Sequence, residues 1–189
     1  MKDFSSIKLK SEGITDERIL NTLLKYKKKD FFTSEKNSLI NSDSDFIDEN
    51  NFIVLRTVSY GKIIQSLDLN ENKKVLITGS NDFYFFSVIS DLCGQLFVLT
   101  DYENDNFKKN VIFINKNGFQ TTYDYSPFDN IIILEPSKKI DKTYLSQIRI
   151  NGSIFFRQIS DNLLLNFLIT KKSDTFIQKI NLYEEEYFR

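Results

Sequence analysis

Short, almost uninterrupted apolar runs that alternate with helical stretches are the feature that most limits what this chain can become. Val75-Leu76-Ile77 is followed by Gly79 and by a helical pattern over Phe83 to Leu92, Gln95 to Leu99 runs up to Asp101, and Val111-Ile112-Phe113-Ile114 stands alone. Ile131-Ile132-Ile133-Leu134 is entered from Pro127-Phe128-Asp129 and is followed by a helical stretch from Ile140 to Ile148. Runs that are apolar on both sides belong to strands covered on both faces, which is the signature of a parallel sheet between helix layers. After Asn151-Gly152, read as a turn, Ser153 to Ile159, Leu163 to Thr170 and Phe176 to Leu182 follow as strands, the last two with no helix between them. The expectation is an α/β fold with a mostly parallel sheet and an antiparallel C-terminal edge.

Upstream the periodicity is helical. Thr15 precedes Asp16 and Glu17, then Ile19, Leu20, Leu23 and Leu24 repeat at helical spacing, and Lys25, Lys27, Lys28 and Lys29 close the run, with Thr15 read as the cap. That lysine cluster reads as the basic end of a helix. The stretch from Ser34 to Asn51, rich in Ser, Asn and Asp, reads as a long surface loop, and Val54 to Leu67 returns to helical spacing. Residues 1–72 are therefore expected to form a helical extension on the substrate side, and residues 73–189 the sheet domain, in one compact unit.

Composition removes several chemistries. There is no His and a single Cys in 189 residues, so no Ser-His-Asp or Cys-His triad, no His-ligated or thiolate-caged metal, and no internal disulfide can form. A net charge of −1 gives no electrostatic reason to expect nucleic acid. No apolar run approaches a membrane span, and Met1-Lys2-Asp3-Phe4-Ser5-Ser6 leads into polar sequence, so a reducing, cytoplasmic setting is the expectation. Glu184-Glu185-Glu186 reads as a solvated tail and Cys93 as a small core residue.

In an open parallel sheet, ligands sit beyond the carboxyl ends of the strands, and the first strand-to-helix turn cradles them. Here that turn is Thr78-Gly79-Ser80-Asn81-Asp82-Phe83-Tyr84, and Asp101 ends the next strand, where an acid would meet a ribose. The alternative is that Gly79 only permits the turn and Asp101 is a solvated loop acid.

Gly13 to Leu20, Asp30 to Phe32, Val75 to Tyr84, Ser126 to Ile133 and Leu145 to Ile154 follow one another in an order that resembles the protein-L-isoaspartate O-methyltransferases. Gly13-Ile14-Thr15-Asp16-Glu17-Arg18-Ile19-Leu20 is similar to that family's "(I/V)-T-D-E-R-(V/L)-L" opening, and Asp30-Phe31-Phe32 sits where the family has "R-E-x-F-V-P". Val75 to Tyr84 takes the place of "V-L-(E/D)-(I/V)-G-x-G-x-G-Y". Ser126 to Ile133 resembles "A-P-(F/Y)-D-x-I-(I/L)-V", and Leu145 to Ile154 resembles "L-x-x-Q-L-x-x-G-G-R-L-V". The resemblance implies a class I, Rossmann-like methyltransferase fold. It also implies S-adenosylmethionine as cofactor, and methylation of isoaspartyl carboxylates in damaged protein or peptide substrates.

Departures from the pattern fall on the implied site. Of three loop glycines only Gly79 remains; Asn81, able to adopt a left-handed turn, and Phe83, whose ring would fill the cradle, replace the others. Ile77 stands where the family carries an acid toward the cofactor's ammonium, leaving Asp82 as the nearest acid to take over that contact. Asn117 stands where an acid meets the adenine amino group, and its oxygen can still accept that bond. The family's "T-I-S-x-P" segment falls on Val54-Leu55-Arg56-Thr57, with Leu55 in the Ser position, so Thr57 and Ser59 are the candidate catalytic-side hydroxyls. The implied cofactor set is Gly79, Asn81, Asp82, Asp101 and Asn117. The same substitutions leave open a catalytically silent module that serves binding, or a methyltransferase whose Phe83, Tyr84, Phe85 and Phe86 line a new acceptor pocket. Neither nucleic acid nor membrane is expected as a partner, and oligomeric state is not readable from the sequence.

Overall fold

A computed structural model describes residues 6–102, 107–115, 122–175 and 177–186. Seven strands form one sheet: β3 (Lys74–Thr78), β4 (Gln95–Thr100), β5 (Val111–Asn115), β6 (Phe128–Ser137), β7 (Ile148–Ser160), β8 (Leu163–Lys171) and β9 (Ile177–Glu186), in the order β5-β4-β3-β6-β7-β8-β9. From β5 through β7 every neighbouring pair is parallel, and β8 and β9 add antiparallel strands at one edge. This is the α/β arrangement that the apolar runs predict. Phe176, expected to begin the last strand, lies outside the described residues.

Alternate residues of each strand serve two cores. Val75, Ile77, Leu96, Val98, Ile132, Leu134 and Phe155 face the helices α2 (Glu17–Lys25), α4 (Thr57–Ser66) and α5 (Phe83–Leu92). Leu76, Phe97, Leu99, Ile131, Ile133, Ile154 and Phe156 face the opposite way, toward Tyr125 of α6 (Thr122–Tyr125) and toward Tyr144 and Leu145 of α7 (Lys142–Gln147). Each fully buried Leu, Ile or Phe contributes roughly 1.5–3 kcal/mol, so period-two patterning on both faces fixes the register strongly.

The N-terminal segment departs from expectation in two places. Asp16, not Thr15, caps α2 by accepting from the Arg18 N–H at 2.8 Å, because its carboxylate reaches back over the first turn. Residues 34–51 are not one long loop. They hold a 3-10 turn (Ser34–Lys36), α3 (Asn37–Ser42), which follows α1 (Ser6–Ser11) and α2 in chain order, and strand β1 (Phe46–Ile47), paired antiparallel with β2 (Ile53–Val54). These short elements are held by side-chain contacts such as the edge-on packing of Phe32 against Phe46 at 5.1 Å, which periodicity does not reveal.

Downstream, Asn151-Gly152 does not end a strand. It lies within β7, Asn151 at φ 63°, where the pairing with β6 slips between Phe128 and Asn130. Glu184 and Glu185 belong to β9 and not to a solvated tail, and Glu185 is paired at 3.2 Å with the buried Arg157. Cys93 is buried in the core, and burial pushes its thiol up to about 12.

Candidate functional site

The strand order reverses between β3 and β6, so their carboxyl ends define the switch point where such sheets bind ligands. Gly79 follows β3 with φ +75°, and a Cβ there would overlap the Glu135 backbone nitrogen and stand 2.5 Å from the Glu135 Cβ. The glycine is thus required twice, once by its backbone conformation and once by the closeness of β6. Glu135, exposed at the end of that run, is the acid that packs against Gly79, and sequence reasoning passed over it.

The rest of the loop is tied to its neighbours by side chains. The Asp82 N–H donates to Ser80 Oγ at 3.1 Å, and Asp82 caps α5 by accepting from the Phe85 N–H at 3.1 Å. Asn81 is not left-handed, contrary to expectation. It holds the loop by accepting a hydrogen bond from the Thr100 hydroxyl at the end of β4, while its Nδ2 is buried and finds no partner among the described residues. Thr100 brings Asp101 alongside, at the exposed bend after β4. Asn117 lies outside the described residues.

Phe83 does not fill the cradle. Its ring packs edge-on against Phe86 at 5.6 Å and Phe107 at 5.7 Å and tilts against Phe113 at 5.9 Å, an aromatic cluster on the β4–β5 side of α5. Tyr84, Phe85 and Phe86 are fully buried core residues. Ile77 is likewise buried in the core.

Behind the loop lies a polar cluster that joins it to the N-terminal segment. The Tyr60 hydroxyl donates to Asp82 Oδ2 at 2.5 Å and accepts from the Leu55 N–H at 3.1 Å, while its ring stacks on Phe85 at 4.2 Å. Lys28, expected at the basic end of a helix, lies beyond α2 in a 3-10 turn (Lys28–Phe31) and is buried: its Nζ donates to the Leu55 carbonyl at 2.5 Å and lies 5.5 Å from the Phe46 and Tyr60 rings and 5.8 Å from that of Tyr84. Burial pulls the Lys28 ammonium below its ordinary value and pushes Asp82 above its own; the attraction between the two opposes both shifts. Tyr60 is raised far above the usual phenol range by burial and by the Asp82 charge.

Thr57 and Ser59 are both buried and both engaged. The Thr57 N–H donates to Asp43 Oδ1 at 2.6 Å, its side chain bonds Tyr84, and Ser59 Oγ accepts from Arg56 Nε at 3.2 Å. Gly79, Asn81 and Asp82 therefore share one loop, with Asp101 beside it through Thr100, and Tyr60 brings the Leu55–Ser59 segment up to Asp82. Lys28 and Tyr60 escaped sequence reasoning because one sits in a lysine run and the other on an apolar helix face. Among the described residues no cluster of acids and Cys could hold a metal ion, and no helix is long and apolar enough to cross a membrane.

The sequence profile of the protein-L-isoaspartate(D-aspartate) O-methyltransferases (PCMT) matches residues 5–185. The chain belongs to this family. Protein-L-isoaspartate O-methyltransferases of Flavobacterium psychrophilum and Dictyoglomus thermophilum are 23% and 25% identical to it, each over 90% of this chain and over 84% and 82% of their own lengths. Among solved structures, a protein-L-isoaspartate O-methyltransferase from Plasmodium falciparum in complex with S-adenosyl-L-homocysteine superposes with a TM-score of 0.75. It covers 93% of this chain and 92% of that one at 14% identity, a likeness of fold. The methyltransferase fold expected from the motif order is thus the observed one.

The family's cofactor can be weighed against the residues present. Gly79 lets the loop turn tightly against β6, Asn81 keeps a buried donor without a partner among the described residues, and Phe83 is turned aside. These features fit a group carrying hydroxyls and a carboxylate. Among the described residues, the acid contact at Ile77 is lost, with Glu135 and Asp101 exposed at the adjacent strand ends.

Proposed function

We propose that this chain is an active S-adenosylmethionine-dependent methyltransferase acting on isoaspartyl carboxylates of damaged proteins. The observation that carries the choice over a silent module is the loop itself: the side chain that replaces the third glycine packs into the Phe86, Phe107 and Phe113 cluster, and the one that replaces the second keeps a buried donor unpaired among the described residues. Gly79, Asn81 and Asp101 would hold the cofactor, and Asn117 its base. Asp82 serves the loop from behind as the α5 cap. S-adenosylmethionine supplies an electrophilic methyl carbon.

The acceptor is a carboxylate, already ionised at neutral pH, so the protein needs no general base and the absence of His costs nothing. What the chain must supply is alignment and exclusion of water. The Leu55–Ser59 segment, with Thr57 and Ser59 held in place by Asp43, Tyr84 and Arg56, is the acceptor side.

Titration calorimetry with S-adenosylhomocysteine, followed by methyl transfer to an isoaspartyl peptide and to its ordinary aspartyl twin, tests this. Binding in the micromolar range, transfer to the isoaspartyl peptide only, and a roughly tenfold weaker affinity in Asn81→Ala, the size of one lost hydrogen bond, are expected. A folded protein that shows no heat at millimolar ligand would return the silent module as the better account.

A further inference from the structure

Leu55 and Arg56 lie between β2, which ends at Val54, and α4, which begins at Thr57, and of their backbone groups the helix takes the Arg56 carbonyl, which accepts from the Tyr60 N–H at 3.2 Å. Leu55 is 1% exposed, which leaves no solvent for its own backbone groups. Side chains from three other elements take over. Lys28 holds the Leu55 carbonyl, Tyr60 accepts from the Leu55 N–H, Asp45 Oδ1 accepts from the Arg56 N–H at 2.6 Å, and Asp43 accepts from the N–H groups of Thr57 at 2.6 Å and Val58 at 3.4 Å.

One of these groups does two things. The Tyr60 hydroxyl that accepts from Leu55 donates to Asp82, the residue that follows Asn81 and caps α5. A continuous chain of hydrogen bonds therefore runs from Lys28 through the Leu55 peptide groups and Tyr60 to the foot of the cofactor loop. We propose that Tyr60 and Lys28 are positioning residues, which fix the acceptor segment at a set distance from the cofactor loop so that carboxylate and methyl carbon meet in line. This assignment rests on the methyltransferase function proposed above.

Physical cost favours a geometric role over simple stabilisation. Satisfying one buried carbonyl requires only a neutral donor, whereas a buried ammonium and a buried carboxylate each carry a desolvation penalty, and such pairs seldom add net stability. What they give is direction: Leu55 is gripped from both sides, by Lys28 at its carbonyl and by Tyr60 at its N–H. An error of about 1 Å in the placement of reacting groups costs about 10²-fold in rate.

Tyr60→Phe is the discriminating variant, because it deletes the hydroxyl and keeps the ring stacked on Phe85. The expected result is a kcat for isoaspartyl-peptide methylation lowered about 10- to 100-fold, with S-adenosylhomocysteine affinity within about threefold of the parent. Lys28→Met should show the same split. Phe85→Leu, which loosens packing and leaves every hydrogen bond of the relay, should lower the melting temperature more than Tyr60→Phe does and lower kcat less. A Tyr60→Phe protein with kcat within twofold of an active parent would overturn the positioning role alone. A folded parent that binds S-adenosylhomocysteine and methylates no isoaspartyl peptide would overturn the activity and the role together.

Discussion

Gly79 and Glu135 touch across the point where the strand order reverses, so closely that no side chain fits between them. Gly79→Ala must therefore both accept a left-handed φ, at about 1–2 kcal/mol, and push back the β6 backbone, at about 1–3 kcal/mol more. A loss of about 2–5 kcal/mol in urea denaturation is expected, together with loss of cofactor binding. An alanine variant as stable as the parent would show that β3 and β6 are not locked at this point.

Phe83 invites the opposite experiment. Restoring the family's glycine by Phe83→Gly removes a half-buried ring from the Phe86, Phe107 and Phe113 cluster and puts glycine at a helix start. The expected cost is about 2–3 kcal/mol of stability. Cofactor affinity should not improve, since the ring does not occupy the cradle. A tenfold gain in S-adenosylhomocysteine affinity by calorimetry would sink this account of the loop.

Asp91 anchors α5 to α2 and to the approach to β5. Burial raises its carboxyl, yet hydrogen bonds from Lys108 at 2.8 Å, Lys25 at 2.6 Å and Tyr26 at 2.7 Å outweigh that and hold it at about 2. A depressed carboxyl stabilises the fold fully above its ordinary value of 3.8, and the contribution is lost as pH falls through about 2. Asp91→Asn should therefore cost about 1 kcal/mol at pH 7, discounted for its partial exposure, and progressively less toward pH 2. A gap between parent and variant that stays constant from pH 7 to pH 2.5 in urea melts would contradict this.

Much of the sheet was legible because buried parallel strands must be apolar on both faces, and Val75 to Ile77 or Ile131 to Leu134 admit few other uses. The helix from Phe83 to Leu92 was found to the residue, since an acid able to cap precedes it and a strand follows closely. Residues 34–51 were misread because α3 has no buried stripe and is held by neighbours distant in sequence. At the site, the turn and its flanking strand end could be placed from spacing alone. Lys28 could not, because nothing in a run of lysines marks the one that points inward; only the rings of Phe46, Tyr60 and Tyr84 set it apart, and they come from three separate segments.

The meander β7-β8-β9 has a kinetic consequence. Each of its pairings joins neighbours in the chain across a short connection, so little entropy is lost in closing it, and hairpins of this kind form within microseconds. Pairing β3 with β6 instead brings Val75 to Asn130 across a long intervening stretch that includes β4 and β5. Assembly should thus begin at the C-terminal edge and finish at the central seam, where Gly79 meets Glu135. The catalytic cleft would be the last part of the molecule to exist, and a newly made chain would carry a finished sheet edge before it could bind anything.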